Sequence, residues 1–386
     1  MNYIDLIILI IVVFTAYRWY KIGFVKTLFL VAGIVVGISI GLLIAPIAMR
    51  QFKSEQIKFI AMLLSIGGCT IAIGYLAELA GHHINIRIQK PQLQSLNSAT
   101  GAVFSLFISL GVIWISAGLI AASPIISLNR QIQDSGVIQF MNKNLPATPV
   151  VIGRLGALIA PLDFPRVFIG TPPKLADPVI PAGSDILKSA IQKAGLSTVK
   201  VESVGCGVIS SGSGFVAGDG LIATNAHVVS GANSVTIIDT NSTFPAKVVY
   251  FDPSMDIAIL RTEVLKAPVL NISTKIYSRG QEAVVLGFPG GGDFRAEPVG
   301  ISRSLKARGL DIYGEKPVER EVYEFIGRVV QGNSGGPIVL ADGTVIGMVF
   351  ASAQNDPGFG YGLNGQEIAS ALAGISPNEV STQKCY

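Results

Sequence analysis

Charge is scarce in this chain of 386 residues: only 14% are Asp, Glu, Lys or Arg, while 50% are apolar. A soluble globular domain carries about 25% charged residues. With a mean hydropathy of +0.55, a membrane part is implied before any segment is located. Histidine is also scarce, with three residues in all. His82 and His83 are adjacent and lack spaced His, Cys or Glu partners, so they read as loop residues; no metal and no cofactor is expected. No Lys/Arg cluster with interleaved aromatics occurs, and the net charge of +4 is mild, so nucleic acid is not an expected partner. Of the three cysteines, Cys69 lies in an apolar run and reads as a small hydrophobe. Cys206 and Cys385 stand at the two ends of the C-terminal domain and are expected to form a disulfide, which needs an oxidising compartment. The alternative is two unrelated thiols. Closing so long a loop is worth on the order of 4–5 kcal/mol in the loop-entropy model, less any strain.

What is abundant is apolar sequence. Four runs, roughly 3–17, 26–49, 57–80 and 100–122, are long enough or nearly so to cross about 30 Å of hydrocarbon. The first carries Asp5, lacks the positive flank of a signal peptide and has no clean small-residue cleavage site, so it reads as a retained span. Gly33, Gly37 and Gly41 recur at spacing four, as a close-packing helix face does; the plainer reading is that glycine is common in membrane helices. Arg18, Lys21 and Lys26 in the first loop and Arg87 and Lys90 in the third outnumber Arg50, Lys53 and Lys58 in the second. That bias places loops one and three inside and both termini outside.

Between about 129 and 198 the composition shifts. Prolines recur at 146, 149, 161, 165, 172, 173, 178 and 181, as in a semi-extended connector. Patches at Val150–Ile152 and Leu155–Ile159 suggest short helices near the membrane, and Asp185–Ala194 reads as another. After Val199, short apolar runs (Gly207–Ile209, Gly220–Ala223, Val235–Ile238, Ala283–Leu286) are broken by Gly, Asp and Asn turns, the pattern of an all-β barrel or sandwich. The reading is multi-domain: a four-helix transmembrane α domain (1–125), a Pro-rich linker with short helices (126–198) and an all-β domain (199–386).

The chemistry concentrates in that last part. Gly332-Asn333-Ser334-Gly335-Gly336-Pro337 is a turn of small residues that can present a serine hydroxyl beside backbone N–H donors. Two partners precede it: His227 in Thr224-Asn225-Ala226-His227-Val228-Val229, and Asp256 before Ile257-Ala258-Ile259-Leu260. His227 is the one histidine after residue 83, so the base has no rival there. The expected roles are nucleophile for Ser334, general base and acid for His227, and imidazole orientation for Asp256. Gly332 and Ser334 N–H groups would form the oxyanion hole. Asp252, in Phe251-Asp252-Pro253, reads as a turn residue.

These motifs carry a resemblance. The segment Thr198–Ala373 resembles the trypsin-like serine proteases in the compact style of the HtrA protease domain, above all in Ser213-Gly214-Phe215-Val216 and Asp219 through Val229. Residues Tyr3-Ile4-Asp5 through Val25 are similar to the colicin V production proteins. The combination resembles the acid-resistance membrane serine proteases (MarP type). The resemblance implies a chymotrypsin-like double β-barrel, an acyl-enzyme mechanism and a role in acid or envelope stress. It also places Arg328, six residues before the nucleophile, at the base of the primary pocket, with Phe350, Ala351 and Ser352 forming its wall and the edge that pairs with substrate backbone. Arg328 facing solvent or a nearby Glu is the plainer reading. Asn333 stands where digestive relatives carry Asp, which puts their ammonium-driven activation in doubt. About fifty residues follow Ser334, too few for a peptide-sensing module. The expected partners are protein or peptide substrates outside the cytoplasm, with the anchor embedded in the cell membrane; nothing sets the oligomeric state. Two rival readings are a catalytically silent tethered binding module, which the complete triad opposes, and a transporter with an accessory protease. Asp5 and Glu78, the candidate intramembrane charges, lie near helix ends, which opposes the latter.

Overall fold

The computed structural model describes residues 2–49, 51, 55–86, 90–121, 131–132, 134–145, 167–168, 172–239, 242–263, 267–353 and 356–385. The chain divides into two compact units, Met1–Trp114 and Ile115–Tyr386.

The first unit is built on helices α1 (Tyr3–Ile22), α2 (Phe24–Met49), α3 (Glu55–Asn85) and α4 (Pro91–Ala121). All four are long and apolar enough to cross a membrane. They outrun the apolar runs at several ends, because a helix keeps its hydrogen bonds where its side chains turn polar. Pro91 opens α4 at the position where its missing N–H is no loss. Apolar side chains such as Leu43, Leu64, Ile71 and Phe107 point outward, as a hydrocarbon solvent requires. Inside the unit, small residues do the packing. A Cβ on Gly37 would meet the Thr70 backbone at 2.6 Å, one on Gly41 the Ile66 backbone at 2.6 Å, and one on Gly33 would collide with Ala77. The glycine stripe of α2 is thus a contact face for α3. At one end, Asn97 Oδ1 accepts from Val25 N–H at 3.0 Å while its Nδ2 donates to Asn85 Oδ1 at 2.8 Å. One amide therefore caps α2 and links α3 to α4. Lys26 pairs with Glu78 at 3.0 Å.

In the second unit, α5 (Gly136–Asn144) is capped by Ser135. The short helices expected at 150–152 and 155–159 lie outside the described residues. Residues 172–183, the end of the Pro-rich stretch, lie against the strands 295–310 and 317–326. Arg303 donates to Lys174 O at 2.7 Å, Arg279 to Asp177 O at 2.8 Å, and Ala176 N–H to the buried Glu324 at 2.8 Å. Helix α6 (Ser184–Ala194) follows and buries Ala190 and Ala194.

Twelve strands then form two closed antiparallel barrels. The first holds β1 (Thr198–Gly205), β2 (Val208–Gly218), β3 (Leu221–Thr224), β4 (Ala232–Ile238), β5 (Thr243–Asp252) and β6 (Ile257–Arg261). The second holds β7 (Glu282–Gly287), β8 (Arg295–Leu310), β9 (Pro317–Ile326), β10 (Pro337–Val339), β11 (Val345–Ser352) and β12 (Phe359–Asn364). Both follow the same spatial order, first-second-third-sixth-fifth-fourth. The unbroken apolar runs have a geometric reason. In β6, Ala258 and Leu260 fill the first barrel, while Ile257 and Ile259 face the layer between barrels. In β7, Ala283 and Val285 fill the second barrel, while Val284 and Leu286 face the same layer. A strand buried on both faces loses its polar alternation.

Helix α7 (Ala226–Val229) carries His227, and α8 (Gly365–Ala373) follows β12. The chain then returns over the first barrel. Ser376 and Val380 N–H donate to Val249 O and Val248 O at 2.8 Å each, and Gly231 N–H to Thr382 O at 3.0 Å. Cys206 and Cys385 form a disulfide with Cα atoms 6.0 Å apart. Gly231, at φ +66, leaves it room: a Cβ there would meet Cys206 Sγ at 2.5 Å.

Candidate active site

His227 and Asp256 come from the first barrel and are set by backbone as much as by each other. Asp256 directly precedes β6 at φ +60, a region Asp tolerates better than most residues. This turn is preceded by Asp252, whose Oδ1 accepts from Ser254 and Met255 N–H at 2.7 and 3.1 Å, the turn role expected of it. Asn225 Nδ2 donates to Asp256 O at 2.8 Å, and His227 N–H donates to Asp256 Oδ1 at 2.9 Å. The carboxylate thus has one orientation. Its Oδ2 accepts from His227 Nδ1 at 2.8 Å. A carboxylate can only accept here, so the proton sits on Nδ1 and Nε2 is left as the basic nitrogen. Asp256 is fully buried and the His227 side chain is 8% exposed, so bulk water does not weaken the pair.

Ser334 comes from the second barrel, in the turn before β10. It is only 3% exposed, so it does not stand clear on its turn. The turn is held peptide by peptide. Gln331 O accepts from Gly290 N–H at 2.7 Å, and Asn333 N–H donates to Val330 O at 3.1 Å. Gly336 N–H donates to Asn333 O at 2.9 Å, and Gly335 N–H to Val349 O at 2.9 Å. Ser213 N–H, from the first barrel, donates to Ser334 O at 2.7 Å. Among the described residues, the N–H groups of Gly332 and Ser334 are the two in this turn without an acceptor. Gly332 at φ +92 and Gly335 at φ +84 need glycine, and a Cβ on Gly335 would collide with Ser213 O. Asn333 Oδ1 is buried and bonds none of the described residues.

The unit thus holds an imidazole fixed by a carboxylate and a serine turn with two N–H groups lacking acceptors among the described residues. A trypsin-like peptidase domain model matches residues 212–348, and a colicin V production protein model matches residues 4–146. The chain is 31% identical to the serine protease Rv3671c of Mycobacterium tuberculosis, over all of this chain and 98% of that one. This chain is a trypsin-like serine protease. The protease's barrels match the crystal structure of the Rv3671c protease in its active form with a TM-score of 0.54 and 37% identity, over 55% of this chain and 96% of that one. HhoB of Synechocystis, named a putative serine protease, is 32% identical over 42% of this chain and 40% of its own.

The remaining expected residues of the protease fall in varied places. Arg328 is exposed, just past Gly327, whose N–H donates to Gly358 O at 2.8 Å. Phe350 and Ala351 are fully buried, and Ser352 is half-buried. The β11–β12 register shifts between Val349 and Ala351, which makes Phe350 a bulge residue. Over its ring, 5.7 Å away, lies Arg320, a residue the sequence did not single out. Arg320 donates to Leu310 O at 3.0 Å. Burial pushes its guanidinium below its ordinary range, and Asp256, Asp252, Asp311 and Glu367 oppose that. Asn225 and Ser213 were also unassigned, although both stand inside quoted motifs; a polar residue among buried strand neighbours was their signal.

Proposed function

We propose that the enzyme cleaves peptide bonds through Ser334 as nucleophile, His227 as base and then acid, and Asp256 as the group that orients the imidazole and stabilises its cation. Gly332 and Ser334 N–H groups receive the oxyanion. One observation carries this: a buried Nδ1–carboxylate pair of 2.8 Å shares the unit with a serine turn in which these two N–H groups alone lack acceptors among the described residues. Substrate lies extended along the 350–352 edge, with Arg328 at the base of the primary pocket, where a cation disfavours basic side chains.

The substrates are envelope or extracytoplasmic proteins, and the protease unit lies outside the cytoplasm. The loop charges and the Cys206–Cys385 bond support that side. The likeness to acid-resistance proteases supports a role under acid or envelope stress. A fluorophosphonate probe applied to membranes holding the full chain tests the chemistry. Labelling at Ser334 that Ser334→Ala abolishes is expected, with turnover of Ser334→Ala and His227→Ala down roughly 10⁴–10⁶-fold. Near wild-type turnover of Ser334→Ala overturns the assignment. A reporter fused after Tyr386 tests the side; activity in the cytoplasm overturns it.

A further inference from the structure

We propose that Ser213, a residue of the first barrel, holds open the oxyanion hole of the second. The proposal rests on the reading of Gly332 and Ser334 as the oxyanion donors. Ser213 lies on β2, is fully buried and uses every polar atom it has. Its N–H donates to Ser334 O and its carbonyl accepts from Thr224 Oγ1, each at 2.7 Å. Its hydroxyl donates to Gly332 O at 2.7 Å and accepts from Phe288 N–H at 2.9 Å. A carbonyl can only accept and an amide only donate, so the hydroxyl proton has one place to be.

Gly332 lies between two peptide planes. In a trans peptide the C=O and the following N–H point to opposite sides. Gly290 N–H holds Gln331 O at 2.7 Å, which directs Gly332 N–H away from Gly290. Ser213 Oγ holds the next plane through Gly332 O. Glycine has no Cβ to resist rotation of either plane, so these bonds set their direction. The same Ser213 oxygen also anchors Phe288, two residues before Gly290. It therefore fixes one plane directly and the other through the loop that carries Gly290. Ser213 is a positioning residue: it acts through Gly332 and touches no reacting atom. Ser213→Ala leaves the buried Gly332 carbonyl and the half-buried Phe288 N–H without their partner, and the Gly332 planes are free to turn its N–H out of the hole. Losing one oxyanion donor costs about 10²–10³ in kcat.

The test uses the full chain in detergent, with active sites counted by fluorophosphonate titration. For Ser213→Ala, kcat per site on a peptide substrate falls about 10²-fold while KM stays within about threefold. Affinity for a peptide aldehyde, whose adduct on a serine places an oxyanion in the hole, falls by the same factor as kcat/KM. Ser213→Thr, which keeps the hydroxyl, recovers most of both. Ser197→Ala, which removes an equally buried hydroxyl bonded to Pro268 O at 2.6 Å, lowers the melting temperature and leaves kcat and aldehyde affinity alone. Should Ser213→Ala not fold, Ser213→Cys, with its weak donor, gives the same split in smaller measure. Unchanged kcat in Ser213→Ala or Ser213→Cys, or a fall in kcat without a fall in aldehyde affinity, overturns the proposal. Ser334→Ala run in parallel separates the two readings. If it still turns over, the site itself is misassigned; if it is inert while Ser213→Ala is unaffected, only the role of Ser213 falls.

Discussion

The two barrels share a strand order but bring different materials to the cleft. The first supplies side chains: the His227 imidazole and the Asp256 carboxylate, steadied by Asn225. The second supplies one hydroxyl, that of Ser334, and otherwise backbone: a glycine turn with two N–H groups without acceptors among the described residues. Side-chain chemistry needs a few well-placed atoms. Backbone chemistry needs the neighbouring amides held, as those of Asn333, Gly335 and Gly336 are, and glycine lets the chain approach closely enough for that. The first barrel should therefore be intolerant of changes in chemistry and the second, Ser334 itself aside, of changes in bulk.

The sharpest break of that contrast is Asp256→Asn. It keeps the shape and loses the acceptor that fixes the proton on Nδ1, so kcat is expected to fall about 10⁴-fold with the fold intact. Steady-state kinetics beside a melting curve check this; a mild loss would deny the first barrel its chemical role. Next is Gly335→Ala, a single methyl. It is driven into Ser213 O at a φ of +84 and should cost about 10²-fold or more in kcat through misplacement of the nucleophile. A tolerated alanine would mean that the turn is not held as tightly as its bonds imply. Third is Cys206→Ser, which is expected to lower stability by up to about 4–5 kcal/mol and activity per site with it. Thermal unfolding and kinetics of the oxidised and reduced protein read both; equal activity would leave the bond only a protective role.

The smallest effect lies on α8. Burial, with the negative charges of Glu321 and Asp252, lifts the Glu367 carboxyl above its ordinary range, which a hydrogen bond to the Glu321 backbone and the charge of Arg320 partly offset. The folded state then binds a proton more readily than the unfolded one. Stability from this group is present below the unfolded value and falls as pH rises through the folded one. Glu367→Gln should flatten that part of the profile of melting temperature against pH, and an unchanged slope would remove the group from the account.

The three proposed catalytic residues could be picked out because each has a local context that survives without the fold: a Gly-rich turn, a His after Asn-Ala, an Asp before an apolar strand. The β class was legible from short runs and turn residues. Ser213 was not assigned a role, because nothing local says that Gly332 lies beside it; that contact joins residues 119 positions apart. Arg320 escaped for the same reason, since its neighbours Leu310 and Phe350 come from other strands. Pro172–Gly183 reads as a connector by composition. Its carbonyls are nonetheless fixed by Arg279 and Arg303, whose role a proline count cannot show. In the first unit, the Gly33-Gly37-Gly41 spacing was visible, but only the proximity of Thr70 and Ile66 makes it a contact.

The returning segment 376–385 gives the enzyme a clock. Residues 198–261 are made before 376–385, so β5 and Gly231 must wait for Ser376, Val380 and Thr382 to complete their hydrogen bonds, and Cys206 must wait for Cys385. The barrel that carries His227 and Asp256 is thus begun first and finished after the barrel that carries Ser334. A chain caught part-way through synthesis would hold His227 and Asp256 on an unfinished barrel, so the order of translation itself is expected to delay assembly of the protease unit.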